Sequence, residues 1–368
     1  MRSAANDLAL YLREPARLAT ATLADWDRLV PMARVAGLLA RLAFVVEANG
    51  GLESLPAPVR PHLQAAKIMA EKHRRDTLYN VARLSELLAP ALGRLILLKG
   101  AAYLCADLPP AKGRIFNDVD ILVPRRLLSN VESILTIGGW RLGDITPYDE
   151  SYYRRWMHQI PPLMDGVRGC CVDVHHTIVP PTARVTLGAD ELLDQVVVLP
   201  EHPKLAVLSP PDMVLHSAVH LFNEGEFARG LRDLDDMNLL LRHFGAAPGF
   251  WQTLQRRAEV LGLGRPLFYA LRYAASLLGT PVPEDVLRAA SSAAPPMPAR
   301  AVMDALFNRA LRSPHPACAD GLTGTALELL YIRAHYLRMP LHLLVMHLTR
   351  KALMRFTAAS DTKVQEAR

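Results

Sequence analysis

Three aspartates in this sequence have types and spacings that could do chemistry. Asn117-Asp118-Val119-Asp120-Ile121-Leu122-Val123 sets two carboxylates two residues apart within an apolar run. On a strand, residues i and i+2 share a face, so Asp118 and Asp120 should project together while Val119 and Ile121 turn into a core. Two ionised carboxylates so close repel each other, and a bound cation relieves the repulsion. Magnesium suits the pair, because it takes carboxylate and phosphate oxygens and keeps several waters. A DxD alone is common, and two solvated aspartates on a strand edge fit these residues equally well. A third carboxylate lies in Cys171-Val172-Asp173-Val174-His175-His176. As a strand, this run puts Asp173 and His175 on one face with valines behind. An acid among apolar residues on a central strand is costly unless paired. Asp173 therefore fits as a third metal ligand with the potential to act as a base, against the alternative of a capped strand end. His175 is expected to bind substrate or to orient Asp173.

Upstream, Leu97-Leu98-Lys99-Gly100 ends an apolar run and opens a helix. Gly100 would let a phosphate approach the backbone, where the helix N-terminus offers free N–H groups. Lys99 would add a point charge for a triphosphate, although a strand-end lysine in solvent is the plain alternative. Arg114, four residues before Asp118, is expected to contact phosphate or to pair with one of the aspartates. A separate HxxxH, His216 and His220, shares one helix face. No Glu stands beside the first His, which excludes the zinc-protease pattern. Histidines that pack the helix and bond Asp233 are the expected arrangement.

The elements that must position these residues follow from the pattern. Residues 1–90 read as a helical region, with apolar positions from Leu29 to Leu42 at helical spacing and a second helix from about Leu63 to Leu88 that ends before Pro90. Residues 91–205 read as the core. RLILLKG and DVDILV are strands, AAYLCADL is a short helix stopped by prolines, and RRLLSNVESILTIGG is a helix. CCVDVHHTIV and DQVVVLP supply further strands, and the alternation indicates an α/β or α+β unit. Residues 206–368 read as a C-terminal helical domain. There SPPDMVLHSAVHLF carries helix-start signals and RGLRDLDDMNLLLRHF is amphipathic. LHLLVMHLTRKALMRF is expected to be a packed helix and not a membrane anchor, and SDTKVQEAR should fray.

The stretch LILLKGAAYLCADLPPAKGRIFNDVDILVP, followed by VDVHH, resembles the uncharacterised nucleotidyltransferase family, a branch of the polymerase-beta-like nucleotidyltransferase superfamily. The positions that carry the resemblance are Lys99, Gly100, Tyr103, Arg114, Asp118, Asp120, Asp173 and His175. RDTLYNVARLSELL before them, and LSPPDMVLHSAVHLF and RGLRDLDDMNLLL after them, are similar to the family's flanking helices, so the resemblance spans roughly residues 20–245. It implies an α+β fold: a mixed sheet with helices, flanked by N- and C-terminal helical regions. It also implies magnesium-dependent transfer of a nucleoside monophosphate from a nucleoside triphosphate, ATP among them, with release of pyrophosphate. Two ions would be held by Asp118, Asp120 and Asp173. Lys99, Gly100 and Arg114 would bind the nucleotide, and Tyr103 and His175 are candidate substrate contacts. Better-known superfamily members carry Gly-Ser where this chain has Lys99-Gly100, so Lys99 would have to replace the serine, and the nucleotide base is left open.

Composition narrows the classes. The chain has 368 residues, of which 51% are hydrophobic and 21% charged, so it is globular. Its formal net charge of +6 suits a polyanionic ligand, a nucleotide or RNA, without requiring one. The four cysteines form no CxxC pair, and Cys170 and Cys171 are adjacent, which disfavours a bridge between them. MRSAANDLALYLREP carries charges through its apolar stretch and does not read as a signal peptide, and no membrane span is expected. A reducing cytoplasm is the expected compartment. The acceptor is left open among a small molecule, a protein and an RNA end. A toxin-type enzyme acting on tRNA and a non-catalytic nucleotide-binding scaffold are the alternatives.

Overall fold

The computed structural model describes residues 7–346, apart from 186 and 189. Four helices come first: α1 (Asp7–Arg13), α2 (Leu23–Val35), α3 (Leu39–Ala48) and the long α4 (Arg60–Leu92). Thr22 caps α2, its hydroxyl accepting from the Asp25 N–H while the Asp25 carboxylate takes the Thr22 N–H in return. The sequence predicts that α4 stops before Pro90, but the helix continues through that proline to Leu92, where Gly93 ends it at positive φ. A proline in the last turn removes one hydrogen bond from a helix that is already ending, and Leu84 and Leu88 pin that end in the core.

The sheet follows. Its strands are β1 (Leu95–Leu97), β2 (Asp118–Leu122), β3 (Trp140–Leu142), β4 (Leu163–Asp165), β5 (Cys171–His175), β6 (Val197–Leu199) and β7 (His202–Val207). Between them lie α5 (Lys99–Cys105), α6 (Leu128–Ile137), α7 (Pro147–Trp156) and the single turn α8 (Asp190–Leu193). The seven strands form one mixed sheet in the order β3-β4-β5-β2-β1-β7-β6. The expected α+β class with a mixed sheet and flanking helices is what the chain adopts. β7 was not anticipated, because Pro203 and Lys204 interrupt the apolar pattern; it nonetheless pairs in parallel with β1, Leu95 against Leu205.

The central register decides the chemistry. β2 runs parallel to β5 with Asp118 opposite Cys171, Asp120 opposite Asp173 and Leu122 opposite His175. Val119, Ile121, Val172 and Val174 point the other way and are fully buried. The period of two therefore separates an acidic face from a packed one on both strands.

After β7 the described chain is helical: α9 (Pro210–Asn223), α10 (Gly230–Phe244), α11 (Phe250–Val260), α12 (Gly264–Leu278), α13 (Glu284–Ala290), α14 (Met297–Ala310) and α15 (Thr323–Arg338). Ser209 caps α9 by accepting from the Asp212 N–H, with Pro210 and Pro211 in the first turn, as the sequence signals indicate. α9 packs on α10, α12 and α5, which brings the helical segment against the acidic face. One contiguous hydrophobic cluster runs from Leu8 through the sheet to Leu330. Residues 341–346 are helical; the remainder of LHLLVMHLTRKALMRF, the terminal SDTKVQEAR and the first six residues lie outside the described residues. No described helix is long and apolar enough to cross a membrane.

Candidate metal and nucleotide site

Asp118, Asp120 and Asp173 line one cleft of about 340 Å³, together with Lys99, Gly100 and Arg114. Asp120 is the most enclosed of the three carboxylates, 3% exposed. Its Oδ1 accepts from the Lys99 ammonium at 2.9 Å and from His175 Nε2 at 2.9 Å. Burial alone would raise the Asp120 carboxyl, but Lys99 and His175 overcome it and hold the group well below the usual carboxylate range. Lys99 is the first residue of α5 and adopts φ of 45°, a left-handed conformation that costs a non-glycine residue energy. That turn aims its side chain back at Asp120. Burial disfavours the ammonium, yet Asp120 and Glu224 outweigh it and raise Lys99 above its ordinary value.

Asp173 differs. Burial, then the charge of Asp120, pushes its carboxyl up to about 7. Asp118, at the start of β2, is exposed at the mouth of the cleft and is also raised, by burial within the cleft and by Asp120. Among the described residues neither touches a cationic side chain, although Lys99 lies near enough to act on both. The cleft thus holds more negative charge than its cations neutralise at contact. Asp120, Asp173 and His175 can each present one ligand atom, all within 4.8 Å of one another. These three residues form a buried group able to hold a metal ion. Asp118 stands outside that tight group, because β2 starts opposite Cys171 and not opposite a second acid.

Several expected contacts take another form. Arg114 lines the cleft but pairs with Asp236 on α10, not with Asp118 or Asp120. Asp236 is a buried acid that needs a cation, and Arg41 meets its other oxygen at 3.0 Å. Gly100 is buried, and a Cβ there would come within 3.0 Å of Arg114 Nε and 3.1 Å of Phe116; its lack of a side chain leaves room for Arg114. Tyr103 is buried behind the cleft, its hydroxyl 2.6 Å from Ser217 Oγ and its ring 5.8 Å from the Arg114 guanidinium. His175 is fully buried and contacts Asp120, so it lies under the carboxylates and not in the open cleft.

The HxxxH pair also departs from expectation. His220 Nδ1 bonds Glu224 at 2.5 Å, and Asp233 pairs with Arg232 instead. One helical turn separates His220 from Glu224, so the nearer partner wins. His216 is buried with its ring edge-on to His175, 6.2 Å between centroids. His158 stacks on His175 at 5.1 Å and reaches Glu224 at 3.5 Å. Burial keeps His158, His175 and His216 neutral at ordinary pH. His220 is the exception: burial would lower it, but Glu224 raises it.

Sequence reasoning missed several cleft residues, four charged ones among them. Glu224, Arg229, Arg232 and Arg338 all face the cavity from the helical segment. With its amide oxygen turned inward, Asn117 accepts from the Arg229 guanidinium at 2.7 and 3.1 Å, which ties α10 to the strand that carries Asp118. The only local hint was RGLRD at the head of a helix, and basic residues at helix ends are too common to mark a site.

A family model described as an uncharacterised nucleotidyltransferase matches residues 22–279. No curated protein and no solved structure matches the chain.

Proposed function

The chain belongs to the uncharacterised nucleotidyltransferase family and is a nucleotidyltransferase; from that premise we propose that it transfers a nucleoside monophosphate from a magnesium-bound nucleoside triphosphate to a hydroxyl or phosphate acceptor. The observation that carries this reading is the parallel register of β2 and β5, which seats Asp120 beside Asp173 in the cleft whose mouth holds Asp118. The donor set fits magnesium, since carboxylate oxygens dominate it and the one imidazole already serves Asp120. Asp118, Asp120 and Asp173 would hold the ion or ions. Magnesium bound there would neutralise triphosphate charge and polarise the α-phosphate.

The protein's own groups do the rest. Lys99, Arg114, Arg229 and Arg232 give the cleft the positive charge that a triphosphate requires. His175 fixes the Asp120 carboxylate from below, and its burial keeps that hydrogen bond dry. Asp173, beside Asp120 in the cleft, would also take the proton from an acceptor hydroxyl. The acceptor oxygen then attacks the α-phosphorus, the bond from that phosphorus to the bridging oxygen breaks, and pyrophosphate leaves. None of the four cysteines is in a disulfide, and a reducing compartment such as the cytoplasm would keep them so.

The test is incubation with each α-labelled triphosphate, ATP first, in a cell extract, comparing wild type with Asp118→Asn, Asp120→Asn and Asp173→Asn. Each variant should lose at least about a hundredfold in labelling rate. Asp118→Asn is the cleanest, because Asp118 has no hydrogen-bonded or ion-pair partner among the described residues to strand. Asp120→Asn also weakens the Lys99 and His175 contacts, so it is read together with its melting temperature. Labelling by Asp118→Asn at the wild-type rate would overturn the proposal.

A further inference from the structure

A second cavity, of about 790 Å³, opens on the far side of Asp118. It shares Phe116, Asn117 and Asp118 with the cleft, so the two meet at the exposed carboxylate at the mouth of the cleft. Its walls are the outer face of α4 and the turn between β4 and β5, which contribute His73, Arg75, Tyr79 and Arg168. The volume lies within the range of small-ligand sites.

Its chemistry is that of an anion site with an aromatic wall. Arg168 stacks over the Tyr79 ring, 4.3 Å from its centroid, and Tyr79 stays 45% exposed. Arg75 makes only a long contact, 3.4 Å, to the Glu71 carbonyl. Among the described residues neither guanidinium has a carboxylate partner, whereas Lys72 on the same wall is already paired with Asp76 at 2.5 Å. Two arginines without a carboxylate partner, beside a ring that Arg83 also approaches at 5.9 Å, match a phosphate, whose oxygens their fork-shaped donors would meet. His73 braces the junction: its Nδ1–H donates to the Phe116 carbonyl at 2.6 Å, two residues before Asp118. The cavity therefore has a basic end and an acidic end, with the reacting cleft beyond the acidic one.

We infer that this cavity is the acceptor subsite, and that the acceptor is a phosphate-bearing hydroxyl compound, its phosphate held by Arg75 and Arg168 and its hydroxyl directed towards Asp118. The inference rests on the nucleotidyl-transfer reading for its direction, but binding alone tests it. Two sources share this chemistry, a small phosphorylated metabolite and the terminal nucleotides of an RNA strand. The probes are accordingly glycerol 3-phosphate and the trinucleotide UpUpU with a free 3′-hydroxyl, with glycerol as the uncharged control.

Each probe is titrated by calorimetry into wild type and into the folded Arg75→Ala/Arg168→Ala double variant, with and without α,β-methylene-ATP and magnesium. Saturable binding of at least one phosphate probe, weakened at least about tenfold in the double variant, is expected. The tighter of the two probes identifies the source. Absence of saturable binding by wild type up to about 10 mM of either probe, or unchanged binding by the double variant, overturns the subsite. Failure of α,β-methylene-ATP to bind strikes the nucleotidyl-transfer reading instead, and leaves the result without analogue to judge the cavity.

Discussion

Two acidic clusters, one on α10 and one on the sheet, border the cleft that Arg114 lines, and their charge balance differs. On α10, every acid has an arginine: Asp233 pairs with Arg232, Asp235 lies 3.8 Å from Arg41, and Asp236 is shared by Arg41 and Arg114. On the sheet, one lysine at contact serves three carboxylates, Lys99 on Asp120. The first cluster is closed by the protein itself. The second is left with unmet charge: burial, then the Asp120 charge, raises both Asp118 and Asp173, and neither has a cation in contact among the described residues. A count of acids would rank the two alike. The difference lies in which cations reach them, and it separates a structural network from a site that awaits a cation and a substrate.

The largest test of this contrast is Asp236→Ala. It leaves Arg41 and Arg114 buried without their shared acid, and should cost about 3–5 kcal/mol in denaturant unfolding. Magnesium should not restore that loss. A cost below about 1 kcal/mol would mean that the α10 network is not closed in the sense described.

Lys99→Met probes the cation that the sheet cluster does have. It should weaken binding of a magnesium–triphosphate about tenfold, near 1.4 kcal/mol, as read by calorimetry. Unaltered affinity would assign Lys99 to Asp120 alone.

The last test concerns pH. Because the Asp173 carboxyl is raised from its ordinary value to about 7 in the folded protein, the native state binds its proton more tightly than the unfolded chain does. Metal-free stability should therefore fall as pH rises from about 4 to 7, because the unfolded carboxyl ionises in that range while the native one keeps its proton. Asp173→Asn should flatten the fall, and magnesium should offset it in wild type by about 1 kcal/mol near pH 7.5. An identical pH slope in wild type and Asp173→Asn melting curves would remove Asp173 from the unmet charge.

Much of this was legible in the sequence for a simple reason. A strand has a period of two, so Asp118 and Asp120 had to share a face once DVDILV was a strand, and Asp173 had to share one with His175. The helix-start chemistry around Ser209 is likewise local, and the observed cap follows it. In three places the structure adds a partner that the pattern did not name. Arg114 was expected on phosphate or on a neighbouring aspartate; it pairs with Asp236 on α10 and still lines the cleft. His220 was assigned to Asp233, but Glu224 stands one turn away. Gly100 was assigned to a phosphate, while the structure gives it a packing reason under Arg114 and Phe116.

The sequence by itself determined the acids, their alternation with valines and the family they belong to, because these depend on residue type and on spacing within single elements. Only the tertiary structure decided that Asp120 sits beside Asp173, since strand register is set by pairing across 50 residues and not by either strand alone. Only it brought Arg229 from the cap of α10, Arg232 from its first turn and Arg338 from the end of α15 into the cleft that holds the carboxylates. Long-range packing chooses which charges meet, and here it neutralised one acidic cluster and left the other with charge to spare.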